Sequence, residues 1–396
     1  MKPIAITGMG IVSAIGNNAT ESLDALRCQR TGVGHVKYLK TDHQEFPVGE
    51  VKMSDEEMKR LLGITEEPTT RTSLMGMLAM REALKDAKLT SLQRYRVVFV
   101  SGTTVGGMDK SEQYYFDYLD GDTRNDYIKT HDCGATTENI ANYFGKFSMV
   151  TSISTACSSA ANAIILGANL IRSGKAEIVV VGGCECITKF HLNGFNSLMI
   201  LDHSQCKPFD SNRAGLNLGE GAAYIVLETS ESARRRNVKV RALLSGYGNS
   251  CDAFHQTASS DDGEGAYLAM QKALALAGLK SNDIDYVNAH GTGTPNNDMS
   301  ESQALLRVFG NQIPPISSTK GLTGHTTSAS GSVEAVICIL ALENGFFPVN
   351  YGWGTPMENG ITPINEMVSN QTLNHIMCNS FGFGGNDSCL IISRKE

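Results

Sequence analysis

Cys157 is the residue of this chain best placed to act as a nucleophile. It follows an extended, β-branched stretch at 149–153 and precedes an apolar segment with helical spacing at 161–171. We therefore expect Cys157 at the first turn of a helix, where unpaired backbone N–H groups favour a thiolate and can hold an oxyanion. A buried cysteine that only packs as a small hydrophobe has the same local pattern, so this segment alone does not decide its role.

Two histidines, a lysine and a glutamate lie in segments that could position them around such a nucleophile. His290 ends an alternating strand and enters a turn of glycine, threonine and proline, while Lys320 and His325 share a glycine-containing stretch. Glu334 falls in a mostly apolar helical stretch, where a carboxylate usually needs a cationic partner, and Lys320 is the natural candidate. The alternatives are a histidine bonded within its own turn and a glutamate on an exposed helix face.

A third segment, at 379–387, carries three glycines around Phe381 and Phe383. Three structures are compatible with this pattern: a plain hairpin turn, a mobile flap, and a loop whose backbone N–H groups stabilise an oxyanion. The residues of this segment do not choose among the three.

The composition is that of a globular protein with a substantial core. The chain has 396 residues, 41% hydrophobic and 19% charged, which indicates one large unit or two fused ones. Its net charge of −7 gives no indication of a basic surface that would bind nucleic acid. None of the ten cysteines forms a Cys-x-x-Cys pair, which argues against a zinc site, and no apolar run approaches a membrane span. We expect a soluble, cytoplasmic protein that contacts neither membrane nor nucleic acid.

Strands alternate with helices along the chain, which predicts an α/β fold. The clearest strands are 4–6, 95–102 and 177–183, and the clearest helices are 70–88 and 265–279. Gly8 and Gly10 after the first strand lack the third glycine of a dinucleotide fingerprint, so we interpret them as a tight turn. From 221 to 247 we expect two strands, separated by the charged stretch 231–236.

A short internal sequence similarity indicates a duplication. The stretch at 153–155 and the stretch at 316–319 both end a strand in Ser-Thr, and each is followed by a loop and a helix. The match is short, and chance similarity is the alternative. If it is genuine, the chain consists of two halves, 1–238 with the cysteine and 239–396 with the histidines, and their loops converge on one site.

Taken together, the segments resemble the elongating β-ketoacyl-acyl-carrier-protein synthases of the thiolase superfamily. The resemblance runs from the opening Ile-Thr-Gly-Met-Gly-Ile-Val-Ser to the terminal Gly-Phe-Gly-Gly. It includes Thr-Ala-Cys157, Ala-His290-Gly-Thr-Gly-Thr, Ser-Thr-Lys320 and Thr-Gly-His325. It implies a thiolase-like fold, in which two duplicated βα halves form a layered α-β-α-β-α architecture. Thiolases have a second cysteine where His325 stands, so the set points to decarboxylative elongation.

The resemblance also implies roles for individual residues. Cys157 would accept an acyl chain from a carrier-protein thioester, with the oxyanion between the backbone N–H groups of Cys157 and Phe383. His290 and His325 would stabilise the enolate that malonyl decarboxylation leaves, and Lys320, paired with Glu334, would order them. The further expected roles are phosphopantetheine binding for Thr292 and Thr294, gating for Phe383, substrate contact for Phe381, and closure of the partner subunit's acyl pocket by the loop that contains Met108.

No metal or organic cofactor is expected, since the substrates are carried on the phosphopantetheine of acyl carrier protein. The expected partners are that carrier and a second copy of this chain. Three departures from the family, at Ser158, at 326–330 and at Asp387, put the acyl pocket in doubt and are compatible with a specialised polyene or polyketide paralogue. Three alternatives stay open: a synthase working with a second synthase-like subunit, a non-catalytic chain-length-factor-type partner, and a coenzyme A-dependent thiolase-like transferase.

Overall fold

The computed structural model describes residues 3–65, 69–89, 91–121 and 123–395. Its strands are β1 (Ile4–Ser13), β2 (Val97–Gly102), β3 (Met149–Ile153), β4 (Ile178–Glu185), β5 (Gly221–Glu228), β6 (Ala242–Cys251), β7 (Tyr286–Asn288), β8 (Ile316–Ser317), β9 (Phe346–Phe347), β10 (Val368–Ser369), β11 (His375–Gly382) and β12 (Asn386–Ser393).

The helices alternate with these strands along the chain. They are α1 (Ala19–Arg27), α2 (Asp55–Leu62), α3 (Arg71–Asp86), α4 (Met108–Gln113), α5 (Tyr115–Leu119), α6 (Cys133–Phe144), α7 (Ser159–Arg172), α8 (Lys189–Ser197), α9 (Ser230–Arg236), α10 (Glu264–Ala277), α11 (Pro295–Phe309), α12 (Lys320–Thr323) and α13 (Ser330–Asn344). Short 3-10 turns lie at Leu92–Arg94, Thr123–Thr130, Ser281–Asp283 and Thr327–Ala329.

One mixed sheet organises the molecule, with the strand order β3-β2-β4-β5-β1-β6-β12-β11-β7-β8. β2 runs parallel to β3 and β4, and β5 joins β4 to β1 by antiparallel pairing. The second five strands repeat this pattern in reverse order across the sheet. β7 runs parallel to β8 and β11, and β12 joins β11 to β6 by antiparallel pairing. The two halves meet where β1 pairs with β6. The topology therefore has the internal repeat that the sequence similarity predicts. The boundary between 238 and 239 stays a prediction.

Helices cover both faces of the sheet and also lie between its halves. Val98 and Val100 of β2 pack in a cluster with α7 and α13, whereas Val97 and Phe99 pack on the opposite face with α3. In the second half, α10 and α11 cover the outer face. α7 and α13 contact each other and strands from both halves, so they form the central layer. The predicted thiolase-like, layered α/β fold is confirmed.

One local prediction is wrong. Gly8 and Gly10 are not in a turn, because β1 continues through them to Ser13. A Cβ on Gly10 would lie 2.0 Å from the carbonyl oxygen of Ala79, so these glycines allow α3 to approach the strand closely. The two strands expected between 221 and 247 are present as β5 and β6, and the charged stretch between them is helix α9, which Thr229 caps by accepting the N–H of Ser232. Among the described residues, no helix combines the length and apolarity needed to cross a bilayer.

Candidate active site

Cys157 lies in a tight turn between β3 and α7, as the sequence predicts. The turn is held by the hydroxyl of Ser159, which accepts the N–H of Thr155 at 2.9 Å. Ala156 has a φ of +50°, a left-handed conformation that costs a non-glycine residue roughly 1 kcal/mol. Gly102 of β2 packs directly below, where a Cβ would lie 2.6 Å from the nitrogen of Ala160. The cysteine is therefore fixed by a strained turn against the sheet.

Burial controls the ionisation of Cys157. The side chain is buried, and this burial raises the thiol's pKa to about 12, although the ammonium of Lys320 and the backbone N–H of Phe383 act in the opposite direction. The expectation that the turn favours a thiolate in the free protein is wrong, because desolvation exceeds the stabilisation that these donors supply. The sulfur lies 3.2 Å from Nε2 of His325, so a base is within reach of the thiol proton.

His325 is held in place through both its backbone and its ring. Its backbone N–H donates to the carbonyl oxygen of Asn217 at 2.8 Å, and Nδ1 lies 3.0 Å from the hydroxyl of Ser330. Burial is the main cause of a pKa well below the usual value for histidine, with a further contribution from the positive charge of Lys320. The imidazole is therefore neutral around pH 7 and has one N–H and one lone pair.

His290 faces the same space from the end of β7. The carboxylate of Glu301 accepts the N–H groups of His290 and Gly291 at 2.9 and 2.8 Å, which holds the turn in place. The rings of His290 and His325 are nearly perpendicular, with centroids 5.3 Å apart. Nδ1 of His290 lies 3.4 Å from Nζ of Lys320. Since an ammonium only donates, this contact puts the hydrogen of the neutral ring on Nε2.

Lys320 forms the expected ion pair with Glu334, and both side chains are buried. Nζ of Lys320 donates to Oε1 of Glu334 and to the backbone carbonyl oxygen of His290, each at 2.5 Å. Burial raises the pKa of Glu334 to about 7, while the ammonium of Lys320 opposes that shift. For His290, burial and then the charge of Lys320 lower the pKa well below its usual value. Burial, with the neighbouring ammonium in support, therefore keeps His290 neutral.

The glycine segment at 382–385 connects β11 to β12 and covers the cysteine. Gly384 and Gly385 have φ values of +80° and +73°, which glycine adopts without strain. The ring of Phe383 stacks on that of Phe195 with centroids 5.8 Å apart, and the N–H of Gly384 donates to the carbonyl oxygen of Gln256 at 2.8 Å. The loop is thus held by two distant segments, which sequence reasoning missed.

A cavity of about 300 Å³ brings most of the predicted residues together. It is lined by the side chains of seven of them: Cys157, His290, Thr292, Thr294, His325, Phe381 and Phe383. Thr292 and Thr294 face each other with hydroxyl oxygens 2.9 Å apart. Lys320 and Glu334 are not in the lining: Lys320 contacts His290 from behind, and Glu334 contacts Lys320. Met108 is half-buried at the start of α4 and does not line this cavity, so its role in a partner's pocket stays a prediction.

Three supporting residues were not found from the sequence. Glu301 lies on α11 and Ser330 begins α13, while Phe195 lies on α8. The burial of Glu301 raises its pKa to about 7, and the N–H groups of the histidine turn oppose this shift. The helix neighbours of Glu301 are largely polar, so no local pattern marked this residue. Ser330 contacts His325, which is only five residues away, whereas the role of Phe195 depends on its contact with the distant Phe383.

Comparison with known proteins agrees with this geometry. The family model of the β-ketoacyl synthase N-terminal domain matches residues 1–233, and that of the C-terminal domain matches residues 241–353. The chain is 33% identical to 3-oxoacyl-[acyl-carrier-protein] synthase 1 of Haemophilus influenzae, covering 100% of this chain and 99% of that protein. It is 32% identical to Nodulation protein E of Rhizobium meliloti, covering 98% of each.

Solved structures give the same result. The ishigamide ketosynthase/chain length factor superposes with a TM-score of 0.93 at 29% identity, over 100% of both chains. A ketosynthase of Xenorhabdus doucetiae, solved in complex with its chain length factor, has a TM-score of 0.86 at 28% identity, over 100% of this chain and 98% of that one. With both domain models matched and the cysteine, histidines and lysine assembled around one cavity, the chain belongs to the β-ketoacyl synthase family.

Proposed function

We propose that this protein is a 3-oxoacyl-acyl-carrier-protein synthase. It transfers an acyl chain to Cys157 and condenses it with malonyl-acyl carrier protein, releasing carbon dioxide, in the elongation of a fatty acid or a related polyene or polyketide chain. The observation that carries the proposal is the placement of Cys157, His290 and His325 on one cavity, with the sulfur 3.2 Å from Nε2 of His325. The proposed chemistry requires no metal or organic cofactor.

The first half-reaction needs a base, because the thiol is neutral. As the sulfur attacks the thioester carbonyl, the S–H proton passes to Nε2 of His325, and the oxyanion forms near the N–H groups of Cys157 and Phe383. The contact between the N–H of Phe383 and the sulfur supports this position for the hole. Collapse breaks the bond to the carrier sulfur, which leaves as a thiol with the proton from His325.

The second half-reaction needs hydrogen-bond donors. When the malonyl carboxylate leaves as carbon dioxide, the electrons of the broken C–C bond pass into an enolate. The N–H groups of His290 and His325 stabilise its oxygen, and neutral imidazoles suit this role since a charged ring would be a stronger acid than the step requires. The enolate carbon then attacks the Cys157 thioester, and the sulfur leaves as a thiolate, which takes up one proton from water when the product departs.

Substrate entry is assigned to the rim of the cavity. The hydroxyls of Thr292 and Thr294 are placed to bond the amides of the phosphopantetheine arm. Phe383 stands above the cysteine on glycine hinges, so a change of its φ and ψ angles would open the path to the carrier. Arg213 donates to the carbonyl oxygens of Thr294 and Pro295, which holds this part of the rim in place.

Mass spectrometry after incubation with acyl-carrier thioester tests the acylation step. The wild-type chain should gain one acyl mass on the peptide containing Cys157, and Cys157→Ala should gain none. Cys184→Ala is the matched control, since Cys184 is also buried and burial also raises the pKa of its thiol to about 12. Acyl label that persists in Cys157→Ala would refute the assignment.

The histidine variants separate the two half-reactions. His290→Ala should abolish malonyl decarboxylation yet retain acylation of Cys157, because His290 is not in contact with the sulfur. His325→Ala should reduce both steps, since the same ring serves as base and donor. A His325→Ala variant that acylates at the wild-type rate would show that another group removes the thiol proton.

Assembly is the second part of the proposal. β3 forms an edge of the sheet and exposes Met149 and Val150, at 40% and 36%, so this edge can pair with a second subunit. We expect a homodimer, while the relatives solved with a chain length factor favour a heterodimer as the alternative. Light scattering of the purified chain distinguishes them: twice 42.6 kDa supports the homodimer, and a monomer supports a missing partner. The complete Cys-His-His set argues against a non-catalytic subunit.

A further inference from the structure

The two histidines of the cavity have different neighbours behind their rings. Nδ1 of His290 faces the ammonium of Lys320, which only donates a hydrogen bond. That contact restricts His290 to one tautomer, with the hydrogen on Nε2. Nδ1 of His325 instead faces the hydroxyl of Ser330 at 3.0 Å, and a hydroxyl both donates and accepts. The ring of His325 can therefore adopt either tautomer without losing its partner.

Ser330 also has a second partner for its own hydrogen. Its oxygen lies 3.3 Å from the hydroxyl oxygen of Thr326, and either atom can be the donor. When Nδ1 of His325 carries a hydrogen, Ser330 accepts it and donates to Thr326. When Nδ1 is a lone pair, the Ser330 hydroxyl rotates and donates to it. All three side chains are at most 2% exposed, so water does not replace these bonds in the closed site.

The two half-reactions require opposite tautomers of His325. Proton removal from Cys157 needs a lone pair on Nε2, whereas stabilisation of the enolate needs a hydrogen there. We propose that Ser330 is a positioning residue that supports both states of His325, first as acceptor from Nδ1–H and then as donor to Nδ1. This inference rests on the proposed function, and it assigns to Ser330 a role that the family match does not.

The proton balance is simple. In acylation Nε2 of His325 gains the Cys157 proton and returns it to the departing carrier thiol, which leaves the Nδ1–H tautomer unchanged. The carriers exchange while the site is open to water. There Nδ1 releases one proton to solvent and Nε2 takes one up, so the ring stays neutral. The Ser330 hydrogen then turns from Thr326 to Nδ1.

Ser330→Ala removes this partner, and Ser332→Ala is the matched control. Ser332 lies on the same helix, is fully buried, and donates to the carbonyl oxygen of Ala329 without contacting a histidine. For Ser330→Ala we expect both half-reactions to slow about ten- to a hundredfold, with KM for each carrier within about twofold. Ser332→Ala should stay within about threefold of wild type. Ser330→Thr, which keeps the hydroxyl, should restore most of the lost rate.

The ring nitrogens of His325 provide a readout that a merely structural role would not move. In ¹⁵N-histidine-labelled protein, the free wild type should show Nδ1 protonated, and the acylated protein should show Nε2 protonated. In Ser330→Ala this exchange should be lost or incomplete. A single tautomer in both wild-type states would overturn the inference, as would equal rates for the alanine variants at 330 and 332. If the wild type fails to condense carrier-linked substrates, the proposed function fails, while the free-protein spectrum still tests the contact with Ser330.

Discussion

Asp387 offers a quantitative test of the structure, because its carboxyl group is buried without a compensating charge. It lies on β12 directly after the glycine loop, is 4% exposed, and has no side-chain hydrogen bond among the described residues. Its carboxyl oxygen packs against the first turn of α10 at Gly265. Desolvation, followed by the negative charges of Asp252 and Glu301, raises its pKa from 3.8 to about 8. The folded protein therefore keeps this acid protonated at neutral pH.

The sign of the effect on stability follows from the shift. Because the folded pKa is above the unfolded one, the contribution of Asp387 to stability is complete below about pH 4 and is lost as pH rises towards 8. At 1.36 kcal/mol per pH unit, the loss is about 1.5 kcal/mol at pH 5 and about 4 kcal/mol at pH 7. Asp387→Asn removes this loss while keeping the shape of the side chain. It should therefore stabilise the protein, and more so at pH 7 than at pH 5.

Thermal unfolding at both pH values measures the effect. For a chain of this length, the difference of about 2.5 kcal/mol between the two pH values corresponds to a Tm gain about 3 °C larger at pH 7. Asp252→Asn is the matched control with the opposite sign. The Asp252 carboxylate accepts bonds from the N–H and hydroxyl of Ser260 and from the N–H of Gly265, so its loss should lower the Tm. An Asp387→Asn gain that is absent, or equal at the two pH values, would refute a protonated buried acid.

Substitutions at three further positions, with a compensating change at Glu334, test the support of the site. Lys320→Met should lower the free energy of unfolding by about 3–5 kcal/mol, because it leaves Glu334 buried without its cation. The double variant Lys320→Met with Glu334→Gln should recover much of this loss, as measured by denaturant unfolding. Gly102→Ala should slow acylation about ten- to a hundredfold with unchanged circular dichroism, since its Cβ would displace the start of α7 at Ala160. Phe383→Ala should retain acylation, since the backbone N–H remains, yet speed hydrolysis of the acyl-enzyme as water enters, which a thioester-decay assay detects.

Much of the fold follows from local patterns, because strands and helices of an α/β protein have clear periodicities. The turn at Cys157 and the ion pair between Lys320 and Glu334 were predicted for physical reasons that involve one or two segments. The glycines of β1 were not, since what they permit is the approach of a helix more than 60 residues away in the chain. The same holds for Phe195, whose contact with Phe383 joins two distant segments.

The ionisation of the site illustrates why sequence patterns mislead about chemistry. A helix start favours a thiolate, yet the strongest influence on Cys157 is the burial produced by the whole assembled cavity. That same burial lowers the pKa of His290 and His325, which keeps them neutral as enolate stabilisation requires. In the proposed mechanism, this one buried environment has two consequences: the histidines are neutral donors for decarboxylation, and the thiol of Cys157 needs a base. The proposed requirement for His325 in acylation, and with it the proposed need for two tautomers, follows from the protein's interior and not from the residues around the cysteine.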